Sequence, residues 1–244
     1  VALNDRLTVD FGLRWERRDA HYGDSNANRF APTDDMVGGE VAADWRLSKQ
    51  RTAYVRLARG YKAGGFNVAL AGVDFSNVDA LSSNEIEFAP ESLLGIEAGV
   101  RFASTDGRLR ADVSVFEARR DAQQIKVPLQ LTLGDPSSFL FVTANAEHGT
   151  HRGIESTLVW QATERWELTT AVGLLRARID EFALFPELGG REPAHAPGYT
   201  YALGAEYRDD FQQEREITGP SLHQLTQQSR QSHGVYAQGD FALR

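Results

Sequence analysis

The chain has 244 residues, with 34 Asp plus Glu against 26 Lys plus Arg, a net charge of −8, one Met and no Cys. The acidic balance argues against a nucleic-acid partner, which needs a basic footprint to displace counterions. The lack of cysteine excludes disulfides, thiolate metal sites and a cysteine nucleophile. No run of about 18 apolar residues occurs, so no helix spans a bilayer. A mean hydropathy of −0.40 taken alone describes a water-soluble domain, but transmembrane β-strands escape a helix scan because each gives a weak signal.

Strict alternation is the dominant pattern. Leu7, Val9, Phe11, Leu13 and Trp15 alternate with Thr8, Asp10, Gly12, Arg14 and Glu16. A helix would mix these on one face, whereas a strand puts every apolar residue on one side. In chain order the pattern returns at Val41–Leu47, Leu94–Phe102, Leu109–Val115, Trp166–Leu174, Tyr199–Tyr207 and Val235–Leu243, and no convincing amphipathic helix occurs. It predicts an all-β protein of about ten antiparallel strands. They fall near 3–20, 36–48, 51–64, 92–104, 108–126, 140–161, 165–180, 198–209, 213–219 and 231–244.

The connections alternate in length. Short turns are expected at Ser48–Gln50, Ser104–Gly107 and Ala162–Arg165, and Asp106-Gly107 is the best tight-turn signal because Gly accepts a positive φ. Between them lie polar stretches near His21–Asp35, Gly64–Ser92, Asp121–Ser138, Glu181–Pro197 and Gly219–Gln231. Short and long in turn places all short connections at one end of the strands. That is the transmembrane β-barrel arrangement of short periplasmic turns and long extracellular loops.

Aromatic placement agrees with it. Trp45, Trp160 and Trp166 flank short turns, where a periplasmic-side girdle belongs, and Trp15 falls near the other edge of an apolar band. The alternative is that these are ordinary core aromatics of a soluble β-protein. On a lipid-facing assignment, the opposite set faces the lumen: Asp10, Arg14, Glu16, Glu40, Asp44, Arg46, Glu97, Arg101, Arg110, Asp112, Glu155, Glu167, Glu206 and Arg208. Both signs occur there, so the ring can neutralise itself across strands. In a ten-stranded barrel such residues mostly fill the interior, leaving little or no channel.

Several segments resemble TonB-dependent outer-membrane receptors. Asn4–Val9 with Gly12–Glu16 resembles one of the family's barrel strands, and Tyr54–Asn67, with Arg59-Gly60-Tyr61-Lys62-Ala63-Gly64-Gly65-Phe66-Asn67, resembles its most distinctive segment. Pro90-Glu91 with Glu97–Arg101, Asn145 with Gly153–Glu155, and Pro197–Tyr199 with Gly204–Tyr207 follow in the family's own order. The resemblance implies a barrel from a receptor for uptake of siderophores, cobalamin or saccharides in the Gram-negative outer membrane. It also implies that inward residues face a plug and the substrate path.

Three departures are notable. The family's barrel has about 22 strands, no plug or TonB box is evident, and Ser232–Leu243 resembles a strand that in the family precedes Asn4. A single barrel domain over 1–244 is therefore expected to be shortened and permuted. Its first and last strands would pair to close a small barrel, with residues 243–244 and 1–7 forming a short turn. Such a chain would not perform energised transport alone, and a TonB contact is not expected without a plug. The alternatives are a fragment of a larger barrel, or a shortened or engineered barrel acting as a structural scaffold or small passive pore.

No catalytic motif stands out: no nucleophile elbow, phosphate-cradling loop or paired-His zinc helix is present. No enzyme activity, cofactor or metal is expected. Glu147, His148 and His151 could gather a metal only in a loop, because positions three apart on a strand face opposite sides. Asp209-Asp210 reads as a cation site or a charged turn. The expected partners are a lipid bilayer or detergent and a small nutrient ligand at the extracellular loops. Phe66, Phe75, Asp74, Asn77, Asp79 and Asn84 in the Gly64–Ser92 stretch suit a cationic or sugar-like ligand, or equally a solvated surface.

Overall fold

In the computed structural model the described residues are 2–73, 75, 83–131, 135, 137–208, 210–211 and 231–232. They form one nine-stranded sheet led by the short segment Ala2–Asn4. The long strands are β1 (Leu7–Asp19), β2 (Thr33–Arg46), β3 (Arg51–Lys62), β4 (Glu91–Ala103), β5 (Leu109–Gln130), β6 (Phe139–Gln161), β7 (Trp166–Glu181) and β8 (Tyr199–Tyr207). Every pairing is antiparallel and between neighbours in sequence.

The short turns are held by side chains that bond their own backbone. The Asn4 carboxamide oxygen accepts N–H bonds from Arg6 at 2.8 Å and Leu7 at 3.0 Å. This turn divides the expected strand 3–20, so Ala2–Asn4 doubles back onto β1. Between β4 and β5, Ser104 Oγ donates to Asp106 at 2.5 Å, Asp106 accepts from the Arg108 N–H, and Gly107 adopts φ +72°. Thr163 Oγ1 caps the β6–β7 turn by accepting from the N–H groups of Arg165 and Trp166.

The eighth expected strand and all before it form; two boundaries and the closure differ. Residues 121–126 are not the start of a long connection. β5 runs on to Gln130 and pairs with β6 back to Phe139, because Gln123, Ile125, Val127 and Leu129 keep the alternation going. Pro128 is tolerated there because β4 pairs no further than Asp121, leaving that stretch of β5 an edge. The ninth expected strand, 213–219, lies outside the described residues. Of the tenth, only Gln231–Ser232 is described, and it pairs with Asp210–Phe211.

The expected closed ten-stranded barrel is thus not what the described strands form. A barrel requires two neighbours for every strand, and among the described residues Ala2–Asn4 and β8 end the sheet without pairing to each other.

Register separates the two faces. Leu7, Trp45, Ala53, Val100, Val113, Ser156, Val172 and Tyr201 form one cross-strand row. This face is apolar and exposed in every long strand, with Phe11 76%, Leu13 83%, Leu57 48%, Ile96 52%, Val115 52% and Leu203 51% accessible. Exposed apolar area on that scale far exceeds the few hundred Å² a water-facing surface tolerates.

The buried core lies instead at the long-connection end. Leu70, Ile86, Val127, Leu129, Val142, Ala144, Ala146, Ile179 and Phe182 cluster where connecting segments fold against the extended β5–β6 hairpin. Leu70, Ile86, Val127 and Val142 are fully buried, each contributing about 1.5–3 kcal/mol of apolar burial.

Candidate functional site

The face opposite the apolar one carries the charged residues picked out by alternation, and they meet across strands. Arg101 on β4 reaches Asp44 on β2 at 2.9 Å and Asp112 on β5 at 3.6 Å. To do so it crosses the ring of Tyr54 on β3, with 4.2 Å from guanidinium carbon to ring centroid. Tyr54 in turn donates its hydroxyl to Glu97 at 2.8 Å. A side chain at Gly99, directly opposite Tyr54 in register, would come within 2.6 Å of that ring, so the aromatic lies flat only over glycine.

Glu40 accepts a two-pronged bond from Arg56. Glu16 is held by Arg14 at 2.5 Å and by the Tyr61 hydroxyl at 2.9 Å, and Arg14 sits 5.8 Å from the Tyr61 ring centroid. Arg208 bonds Glu206 at 2.6 Å and lies 4.0 Å from Glu167. Asp10 stands opposite Ala42. Arg46, Arg110 and Glu155 join none of these pairs: Arg46 and Arg110 stand at the short-turn ends of their strands, and Glu155 is exposed beside Gly153.

Towards the long connections the network becomes buried. Glu91, 6% exposed, accepts from Arg120 at 2.8 Å and from the Gln124 N–H at 2.9 Å. Arg18 is paired with Asp34 and donates to the Gly64 carbonyl at 2.5 Å. Arg56, Tyr54, Glu91, Arg120 and the Arg18–Asp34 pair are not among the lumen-facing positions singled out by alternation, although Tyr54, Arg56 and Glu91 lie in segments that carry the family resemblance. Arg56 and Tyr54 occupy the same alternating positions as the residues that were, and so are legible in principle. Glu91 and Arg120 are not, because their importance comes from burial.

A depression of about 300 Å³ opens on the charged side between β3 and β6. Ala58, Gly95 and Ala118 stand side by side in register along it, and Arg56, Glu97, Phe116 and Glu155 stand around it. Small residues on adjacent strands leave room, while the charged neighbours supply donors and acceptors.

The long connections pack together at one end. Tyr22 lies 5.2 Å from Phe66 and 6.0 Å from Phe30, ring centroid to centroid, and Asn26 donates to the Val73 carbonyl. Phe66 therefore binds connection to connection, and Phe75, partly buried, packs on the apolar core. Asp74, Asn77, Asp79 and Asp209 lie outside the described residues. Asn67 docks on the β6 edge, accepting from the Thr143 N–H at 2.7 Å and donating to its carbonyl at 2.7 Å. Asp24 is held below the usual carboxylate range, chiefly by the Asn28 carboxamide and then by the Asn28 and Asn26 N–H groups.

Glu147, His148 and His151 lie in β6 and do not converge. His148 contacts Asp121 at 2.9 Å, Glu147 accepts from the Ala183 N–H, and His151 stands opposite Ala118. Of the tryptophans, Trp45, Trp160 and Trp166 stand at the short-turn end, and Trp166 packs on Tyr207 with ring centroids 5.1 Å apart. Trp15 stands opposite Val37, nearer the other end. They are 56%, 46%, 43% and 63% exposed respectively.

Antiparallel strands joined alternately by short and long connections, apolar and exposed on one face and charged on the other, define the wall of a transmembrane β-barrel. Residues 1–242 match the TonB dependent receptor-like β-barrel family, and the chain belongs to it. It is 25% identical over 201 residues to the pesticin receptor of Yersinia pestis, an overlap of 78% of this chain and 26% of that receptor. The fold is similar to the ferric yersiniabactin uptake receptor of Yersinia pestis, with a TM-score of 0.61 and 20% identity over 86% of this chain and 30% of that one. The siderophore receptor of Acinetobacter baumannii is alike at a TM-score of 0.61 and 16% identity, covering 84% and 29%. The chain thus spans about a quarter to a third of the proteins it matches. Membership places it in the Gram-negative outer membrane.

Proposed function

We propose that residues 1–244 contribute barrel wall to a receptor that takes up a nutrient of the siderophore, cobalamin or saccharide class. The apolar face meets lipid, the tryptophans mark the edges of the lipid band, and the charged face lines the lumen. The observation that carries this is the division of one sheet into an exposed apolar face and a cross-paired charged face. A water-facing sheet would gain nothing from exposing Phe11, Leu13 and Ile96, whereas lipid solvates them. On this reading the chain has no reaction to catalyse, and the ladder of Arg101, Asp44, Asp112, Arg56 and Glu40 serves the lumen. A ferric siderophore is the first ligand to try, since the relatives include a ferric yersiniabactin uptake receptor.

Quenching of tryptophan fluorescence by brominated lipids tests the wall assignment. Strong quenching is expected in vesicles for single-tryptophan variants retaining Trp15, Trp45, Trp160 or Trp166. Efficient quenching by aqueous iodide instead, at all these positions, would sink it. Titration with a ferric siderophore, read by equilibrium binding, tests the ligand class separately.

A further inference from the structure

The upper edge of the apolar face on β5, β6 and β7 changes character within one step of the pleat. Val115, Ile154 and Leu174 belong to the exposed apolar band. The next outward row is Glu117, Arg152 and Arg176, which are direct register partners, and the row beyond is Arg119, Thr150 and Arg178. Ala177 and Ile179, between and beyond the two β7 arginines, are buried on the other side, which fixes Arg176 and Arg178 as outward.

Like charges placed directly opposite on neighbouring strands repel, yet Arg152 faces Arg176. The side chains of Arg152, Arg176 and Arg178 are exposed and, among the described residues, make no hydrogen bond or ion pair. Arg119 is shared between Asp121 at 3.1 Å and His148 at 3.1 Å, with its side chain 60% exposed. The acids nearby offset Arg119 but leave the other three without an ion pair among the described residues: Asp121 pairs with Arg119 and contacts His148, Asp180 accepts from Thr150, and Glu117, in register with Arg152, makes no ion pair there. Neighbouring strands lie about 4.8 Å apart and outward rows about 7 Å apart, so the long arginine side chains rooted here are within reach of one phosphate group.

We propose that Arg152, Arg176 and Arg178, with Arg119, bind phosphate groups on the headgroups of outer-leaflet lipids. This rests on the lipid-facing assignment above, which puts the long-connection end of the band at the outer leaflet. Charge complementarity selects an anionic headgroup, and continuity with Val115, Ile154 and Leu174 lets the acyl chains lie along the wall below it.

The test uses the intact protein in detergent micelles, probed with diphosphorylated lipid A, the same lipid stripped of both phosphates, and inorganic phosphate. Retention is read by native mass spectrometry. The phosphorylated lipid is expected to be retained, and the Arg152→Gln/Arg176→Gln variant to hold it about thirtyfold more weakly, as for the loss of two near-surface arginines. Equal retention of the stripped lipid, or an unchanged variant, overturns the proposal. So does displacement by millimolar inorganic phosphate, which would make the site one for a free anion. Brominated-lipid quenching on the same samples separates the two ideas: if it persists while removing the lipid's phosphates does not change retention, only this inference falls.

Discussion

Arg101 lies across the ring of Tyr54, its guanidinium carbon 4.2 Å from the ring centroid. The stacking lets one arginine on β4 span β3 and reach Asp44 on β2, while Asp112 stands on its other side. Planar guanidinium is suited to this double use, because it can stack and donate at once.

Replacing Tyr54 divides these roles. Tyr54→Phe keeps the stack and removes the 2.8 Å bond to Glu97, at a cost of about 1.5–3 kcal/mol for a bond to a charged group. Tyr54→Leu should cost about 0.5–1 kcal/mol more through loss of the cation–π contact. Urea titration of the folded, heat-modifiable form in detergent measures both. A leucine variant no less stable than the phenylalanine variant would show that the ring does not support Arg101.

Asn67 substitutes for a missing strand. Beyond the end of the β6–β7 pairing, its carboxamide accepts from and donates to the Thr143 backbone at 2.7 Å each, and also donates to the Glu85 carbonyl at 2.8 Å. Asn67→Leu leaves buried backbone groups unsatisfied, at about 1–3 kcal/mol. Because the contacts tie a connection to the wall, release should be local. Limited proteolysis should cut within residues 63–90 faster in the variant, while cleavage within the β4–β5 hairpin stays unchanged. Uniform loosening of both would argue against a local clamp.

Acid should loosen the first long connection. The Asn28 carboxamide, followed by the Asn28 and Asn26 N–H groups, lowers the Asp24 carboxyl below its ordinary 3.8, outweighing the opposing effect of partial desolvation. A carboxyl depressed in the folded state contributes stability above its unfolded value, and that contribution is lost as pH falls through the folded value. Hydrogen exchange at Asn26 and Asn28 should therefore be flat from neutral pH down to about 4, after correction for intrinsic rates, and accelerate below it. Asp24→Ala should exchange fast throughout, with no acid step. A step of equal size in the variant would assign the titration to another group.

The wall was legible in the sequence because period-two alternation encodes a face directly. Leu7 through Trp15 and Asp10 through Glu16 separate without any knowledge of neighbours, and short turns such as Asp106-Gly107 carry their own chemistry. What alternation cannot encode is what a strand meets. Arg56 and Arg46 occupy equivalent positions, yet Arg56 is paired with Glu40 and Arg46 makes no ion pair among the described residues. The connections were least legible. Phe66 and Phe75 fit either a ligand-contacting or a solvated loop by sequence, and instead Tyr22, Phe30 and the β5–β6 extension draw them into packing. Closure into a small barrel was inferred from the order of motifs, whereas closure depends on strand partners that motifs do not specify.

The Glu91–Arg120 pair gives the sharpest test of the buried end of the ladder. Glu91 is 6% exposed, while the Arg120 side chain is 32% exposed. A glutamine in place of Glu91 removes the charge that pairs with a partly buried guanidinium, and its single carboxamide oxygen can serve Arg120 or the Gln124 N–H but not both. Glu91→Gln should destabilise by about 3 kcal/mol, the lower end of the cost of breaking a buried pair, because Arg120 retains some access to water. Arg120→Met should cost less alone, since the carboxylate keeps the Gln124 N–H. The double variant Glu91→Gln/Arg120→Met should recover part of the loss, because no unpaired charge remains. Urea unfolding of all four proteins closes the cycle and yields the coupling between the two residues. A double variant that simply adds the two single losses would mean that the 2.8 Å contact carries no coupling, and that Glu91 acts through the Gln124 backbone alone.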